Sequence, residues 1–572
     1  TKKRTFIKNG VIERAFMWQP YAVAGQAALS LSIRSIVKYN RNVQQFINDN
    51  TGATKDVIGM RVIDKNNPAM DGTILSLTGT IADHRDALLA HIPDEQSRKN
   101  LLAAGDEELV FEMQSGAYTH FYAARDLHIL IENAADYARF GISQKQAATA
   151  SALRPDVRAG MMKLLSDVLK SEDIIGSSYN SRSHDNLFAQ IDFLPGIEFG
   201  SRRVKPYNNA LHDHFLQEGV FWQDPRFTEG AVRIAVINTL DEKVDDFIEA
   251  MRRQLESNFG YQIEIIRKRR VRVMNRKNLE SAVRAVRADE KKAPHVVLAF
   301  FADDDGSNSD AYLRSLTLAK GIASQAVFAT TMHDPDAMPR LIMGMLAKTG
   351  NIPYALAEPL EYTDFVVGLD IVRESLTRGD RVVAIARIYR NNGEFLAYIM
   401  DTIELDAGDP IPFVLMQTLF PQEDFAEKRI IIHHDGSINA DMLRLLTRWQ
   451  AVLGSEFHPI EIVRESVPYL YALRDGISAP EYGSIFQLDA DNLLVVADPA
   501  QRDHLTAPLH IHCHSDLGIG QAAYSVLAWT LLHYGTRNQH LPVSIKHAQD
   551  IGQWLARGIL PENTHGDVPF WL

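Results

Sequence analysis

Hydrophobic positions follow one rhythm in the first part of the chain and another after Val232. Ala22 to Ile36 is an apolar, small-residue segment readable as strand or helix. Residues 57–81 alternate apolar and polar groups around Asn66-Asn67-Pro68 and Asp71-Gly72, the pattern of strands joined by turns. A helical period over 83–104 leads into a strand at Glu108–Met113. A second helical stretch over 144–170 is broken at Arg154-Pro155. Residues 171–229, rich in Ser, Asn, Asp, Gly and Pro, read as an extended linker with short elements.

Short, wholly apolar runs then alternate with helical periods. Val232–Ile237, Ile263–Ile266 and His295–Phe301 read as buried strands, with helices over 241–258 and 278–288 between them. Strands alternating with helices imply a parallel, doubly wound sheet. This unit ends near Pro353. A second α/β unit opens with a strand at Thr363–Ile371, followed by strands at Val382–Tyr389 and Phe395–Asp401 joined by tight turns. A helix over 410–420 precedes the strand Arg429–His433, which runs into His434-Asp435-Gly436. No internal repeat or low-complexity tract interrupts this order.

Length changes the picture first: 572 residues exceed one hydrophobic core, and at about 150 residues per domain three to five units are expected. The hydrophobic and charged fractions, 46% and 23%, are those of an ordinary folded protein. No apolar run approaches the roughly 18 residues of a membrane span, and no signal-peptide pattern is present. One cysteine, Cys513, excludes an intramolecular disulfide framework and fits a reducing cytoplasm. The chain opens on Thr1, so residues preceding it are expected. A net charge of -12 argues against nucleic acid only on average, because phosphates are bound by local basic surface. Arg267 to Lys277 holds seven cationic residues in eleven. It reads either as such a surface or as a solvated strand and turn.

Asp370 and Asp435 each stand at the end of a buried strand. Three antiparallel strands, a helix and a parallel strand is the order of a ribonuclease H-like sheet, in which the first strand and the strand after the helix carry metal-binding carboxylates. Two Mg2+ ions about 4 Å apart can clamp the attacking and leaving oxygens of a phosphodiester. Taken singly, each aspartate reads equally as a turn residue or helix cap. His510, His512 and His514 alternate along a strand and share one face. With no fourth ligand nearby in sequence, a packed or nucleic-acid-facing strand is expected rather than a zinc cluster.

Gly368-Leu-Asp370-Ile, His433-His-Asp435-Gly436 and Leu541-Pro-Val-Ser-Ile-Lys-His-Ala548 resemble the three landmark segments of an Argonaute PIWI domain. Lys320-Gly-Ile-Ala-Ser-Gln325 and Lys348-Thr-Gly-Asn-Ile-Pro-Tyr354 are similar to the guide-binding segments of its MID domain. Lys55–Arg61 and Arg154–Ala159 are similar to linker segments of long prokaryotic Argonautes. Order and spacing make the resemblance specific. It implies a partial N-terminal domain (1–50), a first linker with a reduced PAZ-like region (51–150), a second linker (151–229), a doubly wound Rossmann-like MID domain (230–353) and a ribonuclease H-like PIWI domain (354–572), in all an α/β multidomain chain with a smaller mixed α/β N-terminal lobe.

The resemblance also implies sites. Arg314, Gln325, Lys348 and the carboxylate of Leu572 would hold the 5′ phosphate of a guide, with a divalent cation, Mg2+ or Mn2+, on Gln325 and Leu572. The aromatic that caps the first base is expected at Asp310 by one count and at Tyr312 by another. The apolar end Val568–Leu572 is expected to be docked, through that carboxylate or by hydrophobic contact alone. The four catalytic positions fall at Asp370, Glu404 (with Glu394 second), Asp435 and Gln549. A neutral amide at Gln549 is a poor Mg2+ ligand, and Asp550 would replace it only through a one-residue shift. The expected protein binds a short guide, RNA before DNA, pairs it with complementary target DNA in defence against invading DNA, does not cut, and acts with an effector partner. A working guide-directed endonuclease is the alternative.

Overall fold

A computed structural model describes residues 4–49, 54–65, 70–91, 95–115, 118–132, 134–176, 187–191, 195–208, 210–228, 230–287, 292–302, 309–318, 320–334, 336–375, 380–406, 408–464, 467–473, 476–498, 505–535, 541–546, 551 and 564–571. Their contacts divide into two compact units. The first falls within Thr1–Gln19 and Leu31–Tyr179, the second within Pro20–Ser30, Asn180–Asp304 and Asn308–Leu572.

An eight-stranded sheet runs through the N-terminal region. The ambiguous segment Ala22 to Ile36 is strand, broken only by the Ala24-Gly25 turn of a hairpin between the strands Gly10–Val23 and Gln26–Asn42. Ala24 and Gly25 both take positive φ, 49° and 74°, which is what a two-residue hairpin turn requires. Arg154 and Pro155 separate the helices Gln144–Ser151 and Pro155–Ser171, with proline in the first turn where its missing N–H costs nothing.

In the second unit, four parallel strands take the order Ile263–Arg270, Val232–Asn238, Val296–Phe301, Ala323–Phe328. All six residues of Val296–Phe301 are buried, because apolar layers cover both faces of the sheet. The helix expected from 241 begins only at Asp245. Asn238 accounts for the delay: its side chain accepts from Leu240 N at 2.8 Å and donates to Glu242 O at 2.9 Å, holding these residues in a turn. The strand from Ile263 runs on through Arg270 because it lies at the sheet edge, where charged side chains reach water.

The second sheet has ten strands. Phe365–Ser375, Asp380–Arg390 and Phe395–Leu405 are antiparallel neighbours. Arg429–Asp435 and Glu456–Val463 then add in parallel, followed by Leu509–Cys513 antiparallel. Between the two parallel strands the helix Ala440–Leu453 buries Met442, Leu445, Leu446, Trp449 and Leu453, one stripe of an amphipathic helix. Asn439 caps its start by accepting from Met442 N, and Gly454, at φ 65°, ends it.

Candidate nucleic-acid-binding site and paired carboxylates

The helix Ser309–Leu318 beside the four-stranded sheet sorts its residues by angle. Asp310 and Arg314, four apart, share a face and pair at 3.6 Å. Tyr312 stands roughly 200° from Arg314 at 100° per residue. It packs against the opposite core layer, with the Arg276 guanidinium 4.4 Å from its ring centre. Tyr312 therefore does not join Arg314, and Asp310 does.

Arg314 Nη1 donates to the backbone oxygen of Trp571 at 3.0 Å, so the chain's last described residues are docked here. Trp571 is buried against Phe395 and Tyr398 of the ten-stranded sheet. A cleft of about 510 Å3 opens at this junction, lined among others by Arg314, Lys348, Thr349, Thr564, Asp567 and Phe570. Lys348 is 4% exposed and donates from Nζ to Gln325 Oε1 at 2.9 Å. Burial, with the Arg314 charge next, drives its ammonium well below the ordinary lysine range. Gln325 meets the cleft only through this bond. The cleft sets Arg314 and Lys348 against the carboxylates of Asp224 and Asp567, while Asp310 is paired with Arg314. Gln325 Oε1 is turned to the Lys348 ammonium, and Leu572, the other expected ligand of a divalent cation, lies outside the described residues.

Asp370 and Asp435 lie on neighbouring parallel strands, one residue beyond the last paired rung, and project from the same face of the sheet. Burial pushes both carboxyls up against the pull of nearby arginines. Arg464 Nη2 lies 2.7 Å from Asp435 Oδ2. Arg387 is fully buried in the middle strand, close enough to feel both carboxylates. Its Nη1 donates to Lys546 O, while Nε and Nη2 have no hydrogen-bond partner among the described residues. Sequence reading missed both arginines, because only strand register brings them in. Glu404 shares the face but stands opposite Arg381, four residues along from the Met400 that shares Asp370's row. That is about 13 Å at strand rise, and two strands over, so Glu404 is not brought to the pair. Glu394 is held in a hairpin by Arg390 at 3.3 Å. Gln549 and Asp550 lie outside the described residues. With a guanidinium on Asp435 and another beside it, the described groups do not fit two Mg2+ ions.

The glycine of the first landmark segment has a packing cause. A Cβ on Gly368 would come 1.8 Å from Ser544 O, so the Leu541–Lys546 backbone crosses directly over this position. His433, also fully buried there, lies between Ser544 Oγ (2.7 Å) and Ser525 Oγ (3.0 Å), and burial takes its pKa down to about 3. It is a neutral packing group. Gly368→Ala is expected to destabilise the chain by about 3 kcal/mol or more, since backbone cannot yield as a side chain can. An unchanged thermal melting point would contradict that packing.

A Rossmann-like parallel sheet beside the Arg314 cleft, followed by a ribonuclease H-like sheet carrying paired aspartates, is the order of a MID and a PIWI fold. No family model matches the chain. Protein argonaute of Aquifex aeolicus is 24% identical over 277 residues, a match spanning 46% of this chain and 38% of that relative. The crystal structure of the A. aeolicus Argonaute superposes with a TM-score of 0.76 at 17% identity, covering 100% of this chain and 82% of the other. Clostridium butyricum Argonaute, bound to a guide DNA and a 19-mer target DNA, gives 0.71 at 17% identity, covering 100% and 81%. The fold is that of the prokaryotic Argonautes.

Proposed function

We propose that this chain holds a short guide by its 5′ phosphate and uses it to bind a complementary strand without cutting it. The observation that carries this reading is the cleft in which Arg314 and the buried Lys348 converge beside the docked Trp571. Arg314 can meet two phosphate oxygens with its planar fork. Lys348 supplies a point charge in a desolvated setting, and Gln325 fixes its position. A small RNA guide, a DNA target, a cytoplasmic defence role and an effector partner complete the proposal. Sequencing the nucleic acid that co-purifies with the full chain tests the guide and target chemistry. Recovery of long, heterogeneous nucleic acid without a uniform 5′ end would overturn it.

The same reading predicts that target specificity resides in base pairing. Affinity is expected to fall as salt rises and to be nearly independent of guide sequence. Mismatches just after the guide's 5′ end are expected to cost more than those at the far end. A flat mismatch series in an equilibrium binding assay would remove the seed-like mechanism.

A specific observation favours the endonuclease reading as well: Asp370 and Asp435 are present on one face of the sheet. Against it stand the arginine on Asp435 and the distance of Glu404.

A further inference from the structure

We infer that Glu461, His512 and His514 form a binding site for a borderline transition-metal ion, zinc in the first place, on the sheet face opposite the paired aspartates. Glu461 lies on the strand Glu456–Val463 and stands directly across from His512 on Leu509–Cys513. His514 follows that strand, tied by its N–H to Pro459 O at 3.0 Å. The donor atoms of the three residues lie within 4.8 Å of one another. His514 Nε2 is 2.8 Å from Glu461 Oε1, and His512 Nδ1 is 3.5 Å from Glu461 Oε2. Ligand atoms about 2.0–2.2 Å from a tetrahedral zinc stand roughly 3.3 Å apart, so these separations already bracket the required span.

The side chains face away from the aspartates. Ile460, Ile462, Leu509, Ile511 and Cys513 fill the core on one side, and alternation sends Glu461 and His512 to the other. Two imidazoles and a carboxylate are the donor set of open zinc sites and of facial-triad iron sites, and sulfur is not required. Glu461 Oε1 also accepts the N–H of Ile438 at 2.7 Å, which fixes the carboxylate as supporting bonds commonly do. Side-chain exposures of 33%, 15% and 10% for His512, His514 and Glu461 leave an entry path and an open coordination position. His510, the third histidine of the run, is held at 3.1 Å by Asn492 Oδ1 and is not part of the set. Since Ile438 follows closely on Asp435, an ion here would also clamp the turn that carries that aspartate.

Purified full-length chain, stripped with EDTA and dialysed, is titrated with Co2+ and, separately, Zn2+. One Co2+ per chain is expected, with the visible absorption of a low-coordinate nitrogen–oxygen site, displaced by Zn2+. Zn2+ is expected to raise the melting temperature. His512→Gln and Glu461→Gln are each expected to weaken binding at least tenfold and abolish the spectrum, while His510→Gln and Asp370→Ala leave both unchanged. Melting of each variant in EDTA, matched to wild type in EDTA, controls for folding. Absent binding, or a spectrum and stoichiometry that survive His512→Gln with Glu461→Gln, would show that the three residues make only a hydrogen-bonded ion pair. A spectrum lost with Asp370→Ala would place the ion at the aspartates instead.

Discussion

Lys348→Met is expected to weaken binding of a 5′-phosphorylated guide about ten- to a hundredfold while raising the melting temperature of the empty protein. The first effect follows from removing a charge-assisted hydrogen bond of about 1.5–3 kcal/mol. The second follows from burial. The folded chain holds Lys348 with a pKa well below its ordinary value, so between that value and about 10.4 the unfolded chain binds more protons and stability rises with pH. Substitution by methionine removes this cost, so binding and stability should move in opposite directions. A phosphate entering the cleft must raise the lysine pKa, so loading takes up a proton at any pH between the lowered value of the empty protein and the raised value of the loaded one. Within that window, and where the phosphate is already a dianion, preference for 5′-phosphate over 5′-hydroxyl guides should fall as pH increases. Equal loss of binding and stability in the variant would reduce Lys348 to a structural group. Retained discrimination between the two guides would move the phosphate elsewhere.

Matched targets are expected to stay whole. Guide-loaded protein incubated with complementary RNA or DNA in Mg2+ or Mn2+ should give no product above background, although the target is bound. In-line hydrolysis needs two ions held in register. Here the Arg464 guanidinium sits on Asp435, Arg387 adds a second cation beside the pair, and Glu404 stands several rungs away. Positional errors near 1 Å can cost about a hundredfold in rate, and a guanidinium in direct contact with a ligand oxygen is a larger disturbance. Cleavage at one position opposite the guide, abolished by Asp370→Ala, would show that the site is alive. Gel analysis of end-labelled targets reads either outcome.

The sheets were legible because their strands are written as runs. Val296–Phe301 and Arg429–Asp435 announce themselves by continuous apolar or β-branched residues, and their burial needs no knowledge of partners. The paired aspartates could be found for the same reason, Asp435 ending such a run and Asp370 interrupting one. What sequence could not supply is register. Arg387, Arg464 and the partner of His512 are fixed by which residue lies across the sheet, and nothing local encodes that. Glu404 shows the converse: its separation from the following helix suits a catalytic role, yet pairing places it opposite Arg381. The Arg314 and Tyr312 ambiguity was resolvable by helix arithmetic alone, because residues two apart cannot face one cleft.

Among the described residues the ten-stranded sheet ends on both sides in strands of three residues, Thr564–Gly566 against Phe395–Leu405 and Phe188–Gln190 against Ser484–Gln487. Each of these outermost strands offers an extended chain only three residues, too short a template for a stable added strand. The 11-residue strand behind Thr564–Gly566 is thereby partly shielded from templating misassembly. A partner's strand is accordingly poorly templated at these two outermost strands, in contrast to the eight-residue edge strand Ile263–Arg270 of the four-stranded sheet. Loosening the Thr564–Gly566 segment would expose the Phe395–Leu405 edge and carry an aggregation cost separate from any loss of guide binding.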